Sequence, residues 1–488
     1  MASIDGGIGP SKAAAGQGCD RREWGLVLGA TAVLLAVAAP VIWNGAPLAD
    51  EYHLCLRPQH EGGYGSYLSA IWADTGVVRP ARFIELILVS GLCDRMPFGA
   101  IIVVPLIVKL AGAPLLWGLL RDLRLSAPWP AVGAALWLLE PLGTEAALWP
   151  AALHVNLGLV LALAALRLHI RGRFGLGAAA VFGACLSVEQ VIFALPLAVW
   201  LVTPREHRRQ ATAVTAGVCL AVLFAYVLWP GENPRQDVPL DQRVRNVIAD
   251  PSWYVRFPVV GLGLHSGFMG FLWAFPWSLA LVAVAVGAGW RSGPDLLAAE
   301  EADSGPAGGR AWTTAVQVVV LLGLVNLPLV VTEVGQSART FTPSWLLIAA
   351  VVPIVASRLP AARHQIIGTL LGAFVGFAVL SLALSAWVRV QTAAFNEAAL
   401  TWIAEQTSDG DVVAICDVPR TAVEPSPAGA FHLHTFHSEY SGPLEYHTGR
   451  IAELRRSGQK YWGQRCPDLT GADLIVDFDE LQAMAGAR

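Results

Sequence analysis

The chain has 488 residues, of which 55% are hydrophobic and only 14% are charged, with a mean hydropathy of +0.53 and a formal net charge of −4. Soluble domains carry about a quarter charged residues, so this composition excludes an ordinary soluble protein and predicts a polytopic membrane protein. Nucleic-acid binding has no support either, because no soluble part of the chain carries a basic stripe interleaved with aromatic residues.

The chain begins with a segment rich in glycine, alanine and serine. Residues 1–22 are predicted to form a disordered cytoplasmic tail. Arg21 and Arg22 precede an apolar run of about 20 residues that lacks a clear small-residue cleavage site. We therefore expect the residues from Glu23 to Trp43 to be retained as the first transmembrane helix.

Apolar runs continue along the chain to residue 388, and most are long enough to cross a bilayer. They cover residues 24–43, 97–120, 127–140, 145–168, 174–203, 211–229, 258–290, 311–331, 343–357 and 365–388. The run at 174–203 is too long for one ordinary span and is interrupted by Ser187-Val188-Glu189-Gln190. It is predicted to form two short helices meeting at Glu189, which gives an all-α bundle of about 11 spans over residues 23–388.

Arginines cluster in the turns on one side of this bundle, which places that side in the cytoplasm. The turns lie at 121–124, 167–173, 205–209, 291–310 and 358–363. The opposite, outer side then receives the first outside loop, 44–96, together with 141–144, 230–257, 332–342 and the C-terminal part of the chain.

Residues 389–488 differ in composition from the bundle and are predicted to form a small extracytoplasmic α/β domain. An amphipathic helix is expected at 393–407, and short strands at 411–417 and 473–479. Cys55 and Cys93 both fall in the first outside loop. Cys416 and Cys466 both fall in the C-terminal domain. Even numbers of cysteines in an oxidising compartment suggest the disulfides Cys55–Cys93 and Cys416–Cys466.

An acidic-aromatic cluster, Asp50-Glu51-Tyr52-His53, comes directly after the first span, where carboxylates near lipid are costly and usually functional. Further motifs follow in order: Arg79-Pro80, Leu139-Glu140-Pro141 with Glu145-Ala146-Ala147-Leu148-Trp149, and Ser187-Val188-Glu189-Gln190 followed by Pro196. Together, over residues 24–203, these motifs resemble the first half of the GT-C superfamily of integral-membrane glycosyltransferases.

The resemblance implies transfer of a sugar from a polyprenyl-phosphate carrier to an acceptor hydroxyl at the outer face of a bacterial plasma membrane. The acceptor would be a glycan, a lipid or a protein. Such a reaction needs a general base, for which the family pattern favours Asp50, with Glu51 as the alternative. Many relatives carry two aspartates at this pair, whereas this chain has Asp-Glu. Neighbouring side chains on an extended segment point to opposite sides, so only one of the two can face the acceptor.

The phosphate leaving group needs a cation. Arg339 is the first candidate because related enzymes often place a basic residue between two late spans. Arg79 and Arg82 are the alternative, since residues three apart share a helix face. Candidates for binding the sugar or the acceptor are Glu145, His154, Asn156 and Glu189.

The resemblance also implies that no cofactor is needed, because the phosphate of a monophosphate carrier is already a good leaving group. The second carboxylate at Glu51 leaves assistance by a divalent metal open. Four histidines in the C-terminal domain are interpreted as acceptor contacts or plain surface rather than as a metal site. They are His432, His434, His437 and His447.

Two other functions stay open. One is an oligosaccharide ligase or polymerase that uses a polyprenyl-diphosphate donor. The other is a transporter or flippase of lipid-linked sugars, which would have inverted repeats and helices broken at the midplane. No internal repeat is evident in the sequence, and its polar residues gather at one face, so the transferase is the leading expectation.

Overall fold

The computed structural model describes part of the chain. The described residues are 21–47, 55–56, 62–63, 65–66, 69, 87, 89–93, 95–141, 144–228, 317–318, 320–325, 327, 338–357, 361–416, 448, 453–456, 471–477 and 483. The expected span at 258–290 and most of the one at 311–331 lie outside them.

The described part of the bundle consists of helices and one 3₁₀ turn. In chain order they are α1 (Arg21–Asn44), α2 (Phe98–Asp122), α3 (Trp129–Leu138), α4 (Thr144–Leu148), a 3₁₀ turn (Pro150–Ala152), α5 (Leu153–Ile170), α6 (Phe174–Ser187), α7 (Val191–Val202), α8 (Arg205–Leu228), α9 (Ala338–Ser357) and α10 (Ala361–Gln406). Five of these, α1, α2, α5, α8 and α10, are long and apolar enough to cross a bilayer. The protein is therefore a membrane protein built mainly of helices.

Ion pairs join the helix ends at one side of the bundle, which we call the basic end. Arg121 at the end of α2 donates to Glu23 at the start of α1, and Glu23 is almost completely buried. Arg167 of α5 donates to Asp122 at 2.9 Å. These pairs neutralise charges just where three helices leave the apolar layer, which fixes the level of α1, α2 and α5 relative to one another.

At the opposite end of the bundle, α1 and α2 make a backbone contact that only glycine permits. A Cβ added to Gly99 would lie 2.1 Å from the carbonyl oxygen of Ile42, and one added to Gly45 would lie 2.9 Å from the Gly99 nitrogen. Gly45 also has a φ of +50°, a conformation that other residues rarely adopt. The chain entering and leaving the first outside loop is thus held at this end.

The structure differs from the prediction at two expected spans, 127–140 and 145–168. Helix α3 has only 10 residues, about 15 Å at 1.5 Å per residue, which is half of the roughly 30 Å apolar layer. The expected single helix over 145–168 is also wrong, since α4 ends at Leu148 and α5 begins only at Leu153. Pro141 and Pro150 explain both breaks, because proline lacks an N–H and disfavours helix in the residue before it.

The prediction for 174–203 is confirmed. Helices α6 and α7 form a hairpin whose tip is the turn at 188–190. With 14 and 12 residues, the two helices are about 21 and 18 Å long, so the hairpin enters the apolar layer without crossing it fully. Helix α8 then returns from the basic end.

The C-terminal expectations need one correction. The span at 365–388 and the amphipathic helix at 393–407 are a single helix, α10, of 46 residues. No proline or glycine lies between residues 377 and 406, so nothing in that stretch of sequence interrupts the helix.

Three short strands follow: β1 (Val412–Cys416), β2 (Glu453–Arg456) and β3 (Leu474–Asp477). They form a parallel sheet in the order β2-β1-β3. The strands expected at 411–417 and 473–479 are confirmed, whereas β2 was not predicted. Buried residues of α10 (Ala399, Leu400, Ile403) pack against Val413, Ile415 and Val476 of the sheet. The last turns of the membrane helix therefore form the helical layer of this sheet.

Candidate functional site

The leading candidates from sequence fall mostly outside the described residues. Asp50, Glu51, Arg79 and Arg82 lie outside them, and the described residues that flank the Asp50-Glu51 pair are Pro47 and Cys55. Arg339 lies in the first turn of α9, where only the backbone is described.

A disulfide joins two described positions in the segment between α1 and α2. Cys55 and Cys93 form the expected disulfide, with their Cα atoms 5.4 Å apart, and Cys93 precedes Pro97, which caps α2. Cys55 is thereby linked to the segment that leads into α2, close in sequence to the α1–α2 contact at Gly45 and Gly99. Cys416 is also disulfide-bonded, but its expected partner Cys466 lies outside the described residues.

A second group of candidates lies where α4 meets α5. Asn156 is fully buried and its Nδ2 donates to the carbonyl oxygen of Ala146 at 2.6 Å. This bond brings the start of α5 beside the residue that follows Glu145 in α4. His154 lies two residues earlier in α5 and is also buried. Three of the four residues nominated for sugar or acceptor binding thus belong to one joint between α4 and α5.

The fourth nominated residue, Glu189, lies in the tip of the α6–α7 hairpin. The tip packs on α5, since a Cβ added to Gly158 would lie 2.8 Å from the Val188 side chain and 3.0 Å from that of Ser187. Glu189 is half-buried and the adjacent Gln190 is buried. Gly158 is two residues after Asn156, so the hairpin tip and the α4–α5 joint are neighbours near the same end of the bundle.

Helix α9 contacts the last turn of α3, and α10 contacts the segment that follows α3. Trp345 of α9 donates through its indole N–H to the carbonyl oxygen of Leu136 at 2.8 Å. Ser381 of α10 donates to the carbonyl oxygen of Pro141 at 2.7 Å. Carbonyls released by the end of a helix need such partners. Arg339 is six residues before Trp345, so the element that carries it is anchored to the α3–α4 break.

Sequence reasoning missed a charged pair inside the bundle. Lys109 Nζ donates to Glu140 Oε2 at 2.5 Å, and the two side chains are only 1% and 0% exposed. Lys109 is 11 residues after Phe98, so it lies about 17 Å along α2, near the middle of that helix. The expectation that polar residues gather only at one face is therefore wrong.

Trp137 packs against the Lys109 side of this ion pair. Its ring centroid is 3.6 Å from Lys109 Nζ, and its indole N–H donates to the Lys109 carbonyl oxygen at 2.8 Å. Gly112 makes room for the ring, because a Cβ there would be 2.5 Å from Trp137 Nε1. Among the described residues, Glu140 Oε1 has no hydrogen-bond partner. The sequence did hold a signal for this ion pair: a lysine within one apolar run and a glutamate at the end of another. Charges inside a membrane tend to pair.

No cation-binding group emerges from the part of the chain that is described. There, no three His, Cys, Asp or Glu side chains are grouped so as to hold a metal ion. The carboxylates of Asp50 and Glu51 and the four C-terminal histidines lie outside that part.

Comparison with known proteins does not assign the chain. No family model matches the sequence, and no curated protein is significantly similar to it.

Proposed function

We propose that the protein is a glycosyltransferase that moves a sugar from a polyprenyl-phosphate carrier to an acceptor hydroxyl at the outer face of a bacterial plasma membrane. The observation that carries this proposal is the gathering of the nominated elements near one end of the bundle. The α1–α2 contact, the disulfide of the first outside loop, the α4–α5 joint and the α6–α7 tip all lie toward the end opposite the basic end.

In this proposal Asp50 is the general base that takes the proton of the acceptor hydroxyl as its oxygen attacks the anomeric carbon. Asp50 follows Pro47 by three residues, so chain length alone keeps it within about 11 Å of that residue. Arg339, or the pair Arg79 and Arg82, would stabilise the departing phosphate. Glu145, His154, Asn156 and Glu189 would contact sugar or acceptor hydroxyls.

The basic end supports the sidedness of this proposal. Arginines in cytoplasmic turns orient membrane proteins. The ends of α2 and α5, the residue before α6 and the start of α8 are arginines or carry them. In this proposal the cytoplasmic side is the basic end, and the nominated residues lie toward the extracytoplasmic side.

The deciding experiment reconstitutes the protein in liposomes with a radiolabelled polyprenyl-phosphate sugar and measures loss of sugar from the lipid. Asp50→Asn is compared with Glu51→Gln and with Asp74→Asn, a matched control in the same loop. We expect turnover to disappear only in Asp50→Asn and to survive EDTA. Turnover lost only in Glu51→Gln would assign the base to Glu51, and turnover lost with EDTA would favour the diphosphate-dependent ligase.

A transporter of lipid-linked sugars is the second candidate, and one observation favours it. The bundle has helix breaks within the apolar layer, after α3 and at the α6–α7 tip, and a buried ion pair beside the first. Broken helices and buried charges are typical of transporter binding sites. Movement of labelled lipid between leaflets, without any sugar release from several donors, would replace the transferase by this function.

A further inference from the structure

Two buried thiols that the proposed transfer reaction does not use lie side by side in the bundle. Cys185 of α6 and Cys219 of α8 have their sulfur atoms 3.7 Å apart, and the two residues are 0% and 4% exposed. A disulfide bond is about 2.05 Å long, so a sulfur shift of less than about 2 Å would join them. The hydroxyl of Tyr226, also on α8, donates to the Cys185 carbonyl oxygen at 3.4 Å, which holds the two helices together at this level.

The pair lies inside the apolar layer. Cys185 is 11 residues after Phe174 and Cys219 is 14 residues after Arg205, so the thiols are about 17 and 21 Å from the basic end. The apolar layer is about 30 Å thick, which puts both sulfurs near its middle. Leu220, which follows Cys219, and Phe224 on the same helix are exposed. At this depth the medium around the helices is lipid, so the nearest reagents are those dissolved in the apolar layer.

We propose that Cys185 and Cys219 are a dithiol switch that a lipid-soluble, two-electron oxidant of the quinone class converts to a disulfide. Two S–H bonds break and one S–S bond forms. The two electrons and two protons pass to the quinone, which becomes a quinol. The bond joins α6 to α8 three residues from the 188–190 tip, so oxidation fixes the hairpin that carries Glu189. This inference is independent of the proposed function, because it rests only on the thiol geometry.

The test uses the full-length protein in nanodiscs, first reduced and then treated with decylubiquinone. Trypsin is expected to cleave after Arg173, Arg205, Arg209 and Arg235, which places Cys185 in the peptide 174–205 and Cys219 in the peptide 210–235. We expect mass spectrometry to find these two peptides linked as the major form after oxidation and separate after reduction. The link should be absent from Cys185→Ser and Cys219→Ser. It should also be absent from Cys185→Ser combined with Leu186→Cys, which turns the thiol about 100° around the helix.

Three results would overturn the proposal. One is separate peptides after oxidation although both thiols react with N-ethylmaleimide. Another is thiols that neither link nor alkylate, because no oxidant could then reach them. The third is a link that forms as fast with oxidised glutathione as with decylubiquinone, which would exclude an oxidant acting from the lipid phase.

Discussion

Lys109 and Glu140 are 31 residues apart in the chain, yet they form a 2.5 Å ion pair that is buried inside the bundle. The pair fixes α2 to the segment in which α3 ends. Charges in the apolar layer are costly unless they are paired. The same contact that neutralises Lys109 therefore holds the α3–α4 break in place.

Removing one partner of the Lys109–Glu140 pair should lower the stability of the protein far more than removing both. Lys109→Met or Glu140→Gln leaves a buried partner without compensation, which costs about 3–5 kcal/mol. The double variant Lys109→Met/Glu140→Gln should lose much less. Thermal unfolding in detergent, followed by tryptophan fluorescence, measures all three. Single variants that are no less stable than the double variant would show that the pair is not coupled.

Gly112 should not tolerate a methyl group. In Gly112→Ala the new Cβ would press on the fully buried Trp137 ring, 2.5 Å away, and overpacking of this kind costs about 1–3 kcal/mol. Gly217→Ala in α8 is the matched control, because among the described residues no atom outside its own helix backbone lies within 4 Å of the position of its Cβ. Equal midpoints of thermal unfolding in the two variants would contradict the packing of Trp137 on α2.

Substituting either cysteine of the Cys55–Cys93 disulfide should have the same effect as substituting both. It closes a segment with a sequence separation of 38, and losing such a bond typically costs about 2–4 kcal/mol. Cys55→Ser, Cys93→Ser and the double variant should therefore be destabilised equally. If the transferase proposal holds, they should also lose turnover to the same degree, since the loop carries Asp50. Unequal losses in the single variants would indicate that one cysteine has a role outside the bond.

Asn156→Ala should loosen the α4–α5 joint. The substitution leaves the Ala146 carbonyl oxygen buried without its donor, a loss of about 1–3 kcal/mol. Asn156→Gln keeps the amide but shifts it by one methylene, so it is the closer control. In the liposome assay we expect Asn156→Ala to reduce turnover in addition to lowering the temperature of unfolding. An unchanged stability would show that the 2.6 Å bond does not hold the joint.

Local signals in the sequence predicted much of the fold. The hairpin at 188–190 follows from a polar tetrapeptide inside an apolar run too long for one span. The strands β1 and β3 follow from short apolar segments bounded by aspartates. The resemblance to GT-C enzymes remains a prediction.

Features that depend on contacts between distant parts of the chain were not predictable in this way. From the sequence alone Glu140 looks like the polar end of a helix, and only the structure shows its ion pair with Lys109. Hydropathy alone predicts α3 and the residues after it as one helix. The joint between α4 and α5 depends on a hydrogen bond that joins Asn156 to a carbonyl of another helix. Helix α10 was divided because its composition changes after residue 388, although its backbone has no reason to stop there.

Because α10 is uninterrupted, it connects the sheet directly to the helices in the membrane. Ser381 touches Pro141, next to Glu140, while Ala399 and Ile403 carry the sheet. These contacts are about 27–33 Å apart along one helix at 1.5 Å per residue. A macromolecule that binds the sheet and favours another orientation of it would change the tilt of α10 about its contact with Pro141. The tilt would be transmitted to the α3–α4 break, so events at the sheet and inside the bilayer are mechanically joined.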